Sequence, residues 1–385
     1  MVVFGTRPEA IKLAPLVRAL ADSPDFQPVV VVTGQHREIL DQVLHLFDVK
    51  PDVDLDIIES RQTMTQVTTR ALAGLEPVVA SVQPDMVVVQ GDTTTTFAGA
   101  LAAFYQRVPV THVEAGLRTG DITAPYPEEM NRRLTTRLAV LHLAPTSNAK
   151  RALLAEGVPG EHIVVTGNTV IDALRWAVGR RVAYGDSALA DLDNDLRPVL
   201  LVTAHRRESW GQGMRAIGHA LGQIARDRPE LLVVFPIHPN PVVREAILPA
   251  VVALDNVRII EPLPYGAFAR LMARSHLILT DSGGVQEEGP SLGKPVLVMR
   301  DTTERPEAVA AGTARLVGTN AEALVTAVGT ILDDPDAYAA MANAVNPYGD
   351  GQAARRSLAA LAHIMHGAPA PDEFTSATGS DAPPR

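Results

Sequence analysis

The sequence predicts a two-domain α/β protein with parallel sheets, and three observations support this prediction. The chain has 385 residues, and chains beyond roughly 250–300 residues usually divide into domains. Hydrophobic residues make up 46% of the chain but aromatic residues only 4%, which suits parallel sheets with aliphatic strands buried on both faces. Short aliphatic runs alternate with helical segments, as expected for parallel strands joined by right-handed helical crossovers.

The predicted strands are aliphatic runs bounded by Gly, Pro, Asp or Thr. After a first strand ending at Phe4, they are Val29–Thr33, Met86–Val89, Val108–Val113, Ile163–Val165, Val199–Val202, Leu231–Phe235, Val257–Ile260, Leu277–Leu279 and Val296–Met299. The predicted helices are Ala98–Tyr105, Met214–Arg226, Gly266–Ala273 and the amphipathic segment Ala353–Met365.

A domain boundary is predicted where the strand pattern stops between Gly167 and Pro198, within which an acidic stretch runs over residues 191–195. We place the first domain at 1–170 and the second at 171–352. The segment 367–385 is rich in Gly, Ala, Pro, Ser and Asp, a composition that predicts a disordered tail.

Composition excludes several classes of protein. The net charge is −10, so a broad basic surface for nucleic acid is not expected. The absence of cysteine excludes disulfides, a thiolate nucleophile and cysteine-ligated metals. No apolar run reaches the roughly 18–20 residues that span a bilayer, and the first residues do not resemble a secretory signal. We therefore expect no membrane partner and a cytoplasmic location.

The first candidate site motif is Gly5-Thr6-Arg7-Pro8-Glu9, with Lys12 one turn later. Thr6 and Glu9 have the spacing of a capping box, and proline favours a first helical turn. Arg7 and Lys12 are then near a helix N-terminus, where they would form a positive corner for phosphate. Two solvated surface cations are the alternative.

Three carboxylates follow predicted strand ends or begin a helix. Asp92 and Glu114 each follow an aliphatic strand, and ligand chemistry collects at the carboxyl edge of open α/β sheets. Like charges placed close together raise one pKa, which permits an acid and base pair. Glu128 begins a helix, and its spacing from Arg132 predicts an ion pair that orients it, with a second pair between Glu129 and Arg133. Surface ion pairs and a simple helix cap at Asp92 are the alternatives.

The second half contains a predicted phosphate site. His205 follows a strand and precedes two arginines, which indicates an anion contact. The Ser282-Gly283-Gly284 turn lies between a strand and a helix, and glycines there let backbone N–H groups approach a pyrophosphate. Glu287 or Glu288 is placed to accept ribose hydroxyls. The dinucleotide fingerprint G-x-G-x-x-G is absent from the Gly5 turn.

Together these motifs resemble the non-hydrolysing bacterial UDP-N-acetylglucosamine 2-epimerases. In family order they are Gly5-Thr6-Arg7-Pro8-Glu9, Gln90-Gly91-Asp92-Thr93-Thr94, His112-Val113-Glu114-Ala115-Gly116-Leu117-Arg118, Pro127-Glu128-Glu129, Gly167-Asn168-Thr169, His205-Arg206-Arg207-Glu208, Asp281-Ser282-Gly283-Gly284 and Arg300-Asp301-Thr302-Thr303-Glu304-Arg305-Pro306-Glu307. The resemblance implies two Rossmann-like domains facing a cleft, as in GT-B glycosyltransferases. It also implies that the C-terminal helix, about 353–366, returns to the first domain.

The resemblance further implies interconversion of UDP-N-acetylglucosamine and UDP-N-acetylmannosamine through a glycal intermediate, in polysaccharide or antibiotic sugar biosynthesis. It implies no metal or cofactor, and a homodimer. The implied catalytic residues are Asp92, Glu114, Glu128, Arg132 and His205. Asp92, Glu114 and His205 would also contact substrate, and the further implied UDP-sugar contacts are Arg7, Lys12, Leu263 (backbone only), Phe268 (stacked on uracil), Ser282, Gly283, Gly284, Glu288 and Arg305.

Four alternatives stay open at this point. They are a GT-B-type glycosyltransferase, a hydrolysing relative, a nucleotide-sugar sensor, and an epimerase of a modified UDP-2-acetamido sugar.

Overall fold

The computed structural model describes residues 1–34, 37–59 and 61–375, and the chain forms two compact units. The first unit contains Met1–Trp176 and Tyr348–Thr375, and the second contains Ala177–Pro347. The predicted divisions at 170 and 352 lie close to these bounds. Each unit has its own parallel sheet, so the predicted α/β chain with two sheets is confirmed.

The first unit is built on a seven-stranded sheet. Its strands are β1 (Val2–Phe4), β2 (Val30–Val32), β3 (Val53–Asp54), β4 (Val87–Gln90), β5 (Val110–Val113), β6 (Leu141–Ala144) and β7 (Ile163–Val165). Its helices are α1 (Arg7–Ala21), α2 (Arg37–Leu46), α3 (Met64–Val82), α4 (Thr94–Tyr105), α5 (Glu128–Leu138), α6 (Ser147–Ala155) and α7 (Thr169–Arg180), the last of which runs into the second unit. The strand order is β3-β2-β1-β4-β5-β6-β7.

The second unit is built on a six-stranded sheet. Its strands are β8 (Val199–Thr203), β9 (Leu232–Pro236), β10 (Val257–Ile260), β11 (Leu277–Thr280), β12 (Val296–Val298) and β13 (Ala314–Leu316). Its helices are α8 (Gln212–Asp227), α9 (Pro241–Val251), α10 (Tyr265–Arg274), α11 (Gly283–Glu288), α12 (Pro306–Ala310), α13 (Ala321–Asp333) and α14 (Pro335–Ala342), and α15 (Ala353–His366) belongs to the first unit. The strand order is β10-β9-β8-β11-β12-β13.

The strand orders position the candidate motifs. In the first unit the order reverses between β1 and β4, and in the second between β8 and β11. Open α/β sheets bind ligands outside the carboxyl ends of the strands at such a reversal. The Gly5 and Asp92 turns follow β1 and β4, and the His205 and Ser282 turns follow β8 and β11. Each pair of motifs therefore shares one edge of one sheet.

Burial explains why these strands form the sheet centres. The residues Val199–Val202 of β8 are fully buried, as are β11 residues Leu277–Leu279. A run that is apolar on both faces is stable only between two helical layers. Helices α8 and α13 contribute Met214 and Leu324 to the same cluster, so they cover β8 on one face.

The first part of the predicted tail contacts the first unit. Phe374 is 6% exposed, and its backbone N–H donates to Val165 O at 2.7 Å. Glu373 pairs with Lys150 at 2.7 Å. Since β7 is an edge strand, the tail gains hydrogen bonds and burial there that composition does not reveal. The predicted disorder of the tail stays a prediction, and residues 376–385 lie outside the described residues.

The acidic stretch over 191–195 is bound to the second unit. Arg258 pairs with Asp191 at 2.7 Å and with Asp195 at 3.1 Å, and Arg270 pairs with Asp193. These pairs explain the excess of aspartate where the sequence showed only a break in the strand pattern. Within the part of the chain described, no helix is both long and apolar enough to cross a membrane.

Candidate active site

Glu114 lies at the end of β5 in a backbone conformation that side chains seldom adopt. Its φ is +60°, and non-glycine residues with such values concentrate at functional sites because the strain must be offset elsewhere. The residue is 7% exposed. Lys12 Nζ lies 2.6 Å from both carboxylate oxygens. Asn168 donates to Oε1 at 3.0 Å, and Gln90 donates to Oε2. Glu114 is therefore a buried, charge-paired carboxylate held in one orientation.

Asp92 follows β4 and is held by helix α5. Arg132 reaches Asp92 Oδ2 with Nε at 3.0 Å and with a terminal nitrogen at 2.6 Å. Asn131 donates to the Asp92 carbonyl at 2.9 Å. Two nitrogens of one guanidinium therefore fix Asp92 Oδ2, a charge-assisted contact stronger than a neutral hydrogen bond.

Of the two ion pairs predicted within α5, the one between Glu128 and Arg132 is wrong. Arg132 pairs with Asp92 and, at 3.1 Å, with Glu129. Glu129 also pairs with Arg133 at 3.1 Å. Glu129 is fully buried, so its charge must be paired, and Arg132 and Arg133 supply the positive charges. Spacing alone favoured a Glu128 to Arg132 pair because residues four apart share a helix face. The second predicted pair, Glu129 with Arg133, is present.

Glu128 is the first residue of α5, and its Oε2 is buried. Among the described residues this oxygen has no hydrogen-bond partner. This oxygen is therefore placed to accept a hydrogen bond from a ligand.

His112 supports the turn that contains Asp92. It is fully buried in β5, and its Nε2 lies 2.7 Å from Gly91 O. Burial lowers the pKa of His112 to about 3, so the ring is neutral at pH 7. The geometry makes Nε2 the protonated nitrogen, which donates to the Gly91 carbonyl.

In the second unit, Asp281 fixes the turn that carries His205. The fully buried Asp281 carboxylate accepts from the backbone N–H groups of His205 at 2.7 Å and Arg206 at 2.8 Å. His205 Nδ1 lies 2.9 Å from the other oxygen. Burial opposes ionisation of Asp281, but His205 and the backbone donors outweigh it and lower its pKa. His205 Nδ1 therefore faces Asp281, and Nε2 is the ring nitrogen available to a ligand.

The Ser282-Gly283-Gly284 turn is lined by a charged network. A Cβ added to Gly283 would lie 2.9 Å from Glu304 Oε1 and 3.4 Å from an Arg206 nitrogen. Glu304 accepts from Arg206 at 2.9 Å and from Arg300 at 2.6 Å. Burial opposes ionisation of Glu304, but its own backbone amide and these arginines outweigh it and lower its pKa to about 2. A side chain at 283 would therefore displace these charged groups.

The remaining predicted contacts of the second unit lie around helices α10 and α11. Arg305 Nε donates to Glu287 Oε1 at 2.5 Å. Tyr265 donates to Glu288 Oε1 at 2.9 Å, so the predicted ribose acceptor is already oriented by a phenol. Phe268 on α10 and Leu263 before it are both partly exposed, as a stacking ring and a backbone contact require.

The predicted positive corner at Arg7 and Lys12 differs in the structure. Arg7 is exposed, but the Lys12 ammonium is bound to Glu114. Lys12 is therefore the counter-ion of the Glu114 carboxylate.

Sequence reasoning did not assign several residues that orient the site. They are Gln90, Asn168, Asp281 and Glu304. Each was inside a motif, but each contacts a residue far along the chain, and strand order brings the two together.

Comparisons with known proteins extend over nearly all of the chain. A profile of the family described as UDP-N-acetylglucosamine 2-epimerase matches residues 18–362. The UDP-N-acetylglucosamine 2-epimerase of Escherichia coli K12 is 55% identical over 368 residues, which cover 94% of this chain and 97% of that protein. The UDP-GlcNAc 2-epimerase of Neisseria meningitidis, solved with bound UDP-GlcNAc, has a TM-score of 0.82 and 48% identity, covering 93% of this chain and 97% of that one. The S. aureus protein MnaA, solved with UDP, has a TM-score of 0.84 and 46% identity, covering 97% and 99%.

Proposed function

Because the chain belongs to the UDP-N-acetylglucosamine 2-epimerase family, we propose that it interconverts UDP-N-acetylglucosamine and UDP-N-acetylmannosamine. One observation carries the proposal beyond similarity. Asp92 and Glu114 follow neighbouring parallel strands, and each is bound to a cation. Epimerisation at a carbon requires removal of a proton from one face and its return on the other. Several oriented carboxylates at one sheet edge supply that chemistry.

The reaction proceeds by elimination and re-addition. C2 of the sugar is not next to a carbonyl, so its proton becomes removable only as the C1–O bond to UDP breaks. A carboxylate takes H2, the C2–H electrons form the C1=C2 bond of a glycal, and UDP leaves with the C1–O electron pair. Protonation of C2 on the opposite face and attack of UDP on C1 complete the inversion. Protons are exchanged at C2 while UDP leaves C1 and returns to it, so the net oxidation state does not change and the scheme needs no redox cofactor.

The first unit supplies the acids and bases in this proposal. Asp92, oriented by Arg132, and Glu114, paired with Lys12, are the first candidates for proton transfer at C2. Glu128, with its buried oxygen, is the candidate for the second face. General acid–base catalysis of this kind contributes roughly 10²–10⁴-fold.

The second unit supplies the nucleotide contacts in this proposal. The Ser282–Gly284 turn and His205 Nε2 bind the pyrophosphate together with Arg305, and each charged contact contributes about 1.5–3 kcal/mol. Phe268 stacks on uracil, the main chain of Leu263 hydrogen-bonds it, and Glu288 accepts the ribose hydroxyls. Arg7 is the proposed phosphate contact from the first unit. Strong binding of the developing anion lowers the barrier to C1–O cleavage.

An acceptor-free assay tests the function. The protein is incubated with UDP-N-acetylglucosamine alone and the sugar signals are followed by NMR. We expect an equilibrium mixture containing the 2-epimer. A glycosyltransferase would leave the substrate unchanged without an acceptor, and a hydrolysing relative would release free N-acetylmannosamine and UDP. Either result would overturn the proposal.

Substrate identity, assembly and location need separate measurements. A panel of UDP-2-acetamido sugars would identify an epimerase of a modified sugar by a preference for that sugar. The homodimer stays a prediction, which light scattering tests through the mass in solution. The cytoplasmic location also stays a prediction, which cell fractionation tests.

A further inference from the structure

Glu9 is a buried carboxylate that the proposed reaction does not use. It is the third residue of α1 and is 1% exposed. Its Oε2 accepts from the backbone N–H groups of Gly5 at 3.0 Å and Thr6 at 2.8 Å. These bonds are the helix-capping role that the sequence predicted. Capping uses one oxygen and leaves the function of the other to be explained.

The second oxygen binds a different turn. Thr93 donates its hydroxyl to Glu9 Oε1 at 2.6 Å. Thr96 Oγ1 lies 3.1 Å from the same oxygen and 2.6 Å from Gln90 O. A threonine hydroxyl has one hydrogen, so Thr96 donates to one of these acceptors at a time. The Glu9 carboxylate therefore joins the turn after β1 to the turn after β4.

The two turns pack against each other at this point. A Cβ added to Gly5 would lie 2.6 Å from Thr95 Oγ1, closer than real Cβ contacts. Thr95 and Thr96 are fully buried in the first turn of α4. A carboxylate placed here accepts hydrogen bonds from both turns and fixes their separation.

The joined turns hold the reacting carboxylates. Asp92 immediately precedes Thr93, and Gln90 donates to Glu114. We propose that Glu9 is a positioning residue for catalysis, whose carboxylate holds the 90–93 turn so that Asp92 and Glu114 keep their reactive orientation. The inference rests on the proposed function, which makes those two carboxylates the acids and bases.

The test compares kcat with KM in the folded variants, because misplacing a reacting group lowers kcat, whereas losing a substrate contact raises KM. Glu9→Gln places an NH₂ group against donors, and we expect kcat to fall about 10–100-fold with KM within about twofold, as misplacement of a reacting group by about 1 Å predicts. Thr93→Val removes one donor, and we expect kcat about tenfold lower, whereas Thr93→Ser keeps the hydroxyl and stays within about twofold of wild type. If Glu9 and Thr93 act as one unit, the double variant is no slower than the slower single variant.

The matched control is a second capping box in the first unit, at the start of α3. Gln66 accepts from the Thr63 N–H at 2.8 Å at the exposed start of α3, so Gln66→Ala removes a cap without touching the site. We expect its kcat to equal that of wild type.

Two results would overturn the role of Glu9. One is a folded Glu9→Gln or Thr93→Val enzyme whose kcat is within about twofold of wild type. The other is a Thr93→Ser enzyme as slow as Thr93→Val, which would show that packing matters and the hydroxyl does not. If Glu9→Gln does not fold, the Thr93 pair decides. An inactive wild-type protein would overturn the proposed function, and with it the role of Glu9.

Discussion

The ion pair between Lys12 and Glu114 gives a stability prediction that can be worked from the structure. The two side chains are only 20% and 5% exposed. Breaking a buried pair by removing one partner costs about 3–5 kcal/mol, because the other charge stays buried. In Lys12→Met, Glu114 keeps the donors Gln90 and Asn168. We therefore expect the lower end, about 3 kcal/mol of unfolding free energy.

A double variant tests the cause. In Lys12→Met/Glu114→Gln the buried charge is gone, and the Gln90 amide can rotate to present its oxygen. We expect the loss relative to wild type to shrink to about 1 kcal/mol, since replacing both members of a buried pair by neutral groups is often nearly neutral. The control is Lys150→Met, which breaks a pair whose side chains are 27% and 36% exposed and costs about 1 kcal/mol or less.

The assay uses the two tryptophans of the chain. Trp176 lies in the first unit and Trp210 in the second, so a Trp210→Phe background makes urea unfolding of the first unit visible through Trp176 alone. Two results would refute the reasoning. One is a cost below about 1 kcal/mol for Lys12→Met, and the other is a double variant as unstable as the single one.

Three further predictions concern helix α5, the C-terminal tail and Asp172 of helix α7. Arg132→Lys cannot reproduce the two-nitrogen contact with Asp92, so we expect kcat to fall about tenfold or more. Arg133 pairs with buried Glu129, and Arg133→Lys should leave kcat within about twofold of wild type; equal effects of the two substitutions would contradict the assignment. A chain ending after residue 366 loses buried Phe374. We expect calorimetry to show a loss of about 2 kcal/mol of unfolding free energy, and light scattering to show more association through the uncovered β7 edge. A truncated chain with unchanged stability and association would show that the tail has no structural role. Burial raises the pKa of Asp172 to about 6 from 3.8. Its contribution to the free energy of unfolding is therefore full below about pH 4 and is lost as pH rises through 6. In Asp172→Asn the free energy of unfolding should fall less over that range, and a pH profile identical to that of wild type would contradict the raised pKa.

The central strands were predictable because their residues are apolar on both faces. β8 and β11 consist almost wholly of buried aliphatic residues, a pattern that has few other stable uses. The strands β3, β6 and β13 were missed. β3 has only two residues, neither of which is buried. β6 contains His142, which is buried and lies 3.2 Å from Thr136 O, and β13 has an exposed centre at Arg315. A search for aliphatic runs misses strands this short or this interrupted by polar residues, although β5 was predicted despite its buried His112.

The candidate site was predictable by position but not by pairing. Asp92 and Glu114 follow aliphatic strands, and the carboxyl ends of parallel strands meet at one edge. Their partners were not predictable, because Lys12 and Arg132 reach them across the sheet from α1 and α5. The error at Glu128 shows the reason. Helical spacing identifies only the residues that lie near Arg132 within α5. In the structure the Arg132 guanidinium pairs with buried Glu129 and with Asp92, which is distant in sequence.

The most direct test of the account is turnover in D₂O. UDP-N-acetylglucosamine is incubated with the enzyme, and the H2 signals of both epimers are followed by ¹H NMR. If a carboxylate removes H2 and a solvent-derived proton returns on the other face, the UDP-N-acetylmannosamine formed contains deuterium at C2. Product that forms at the normal rate and retains protium at C2 would contradict the account.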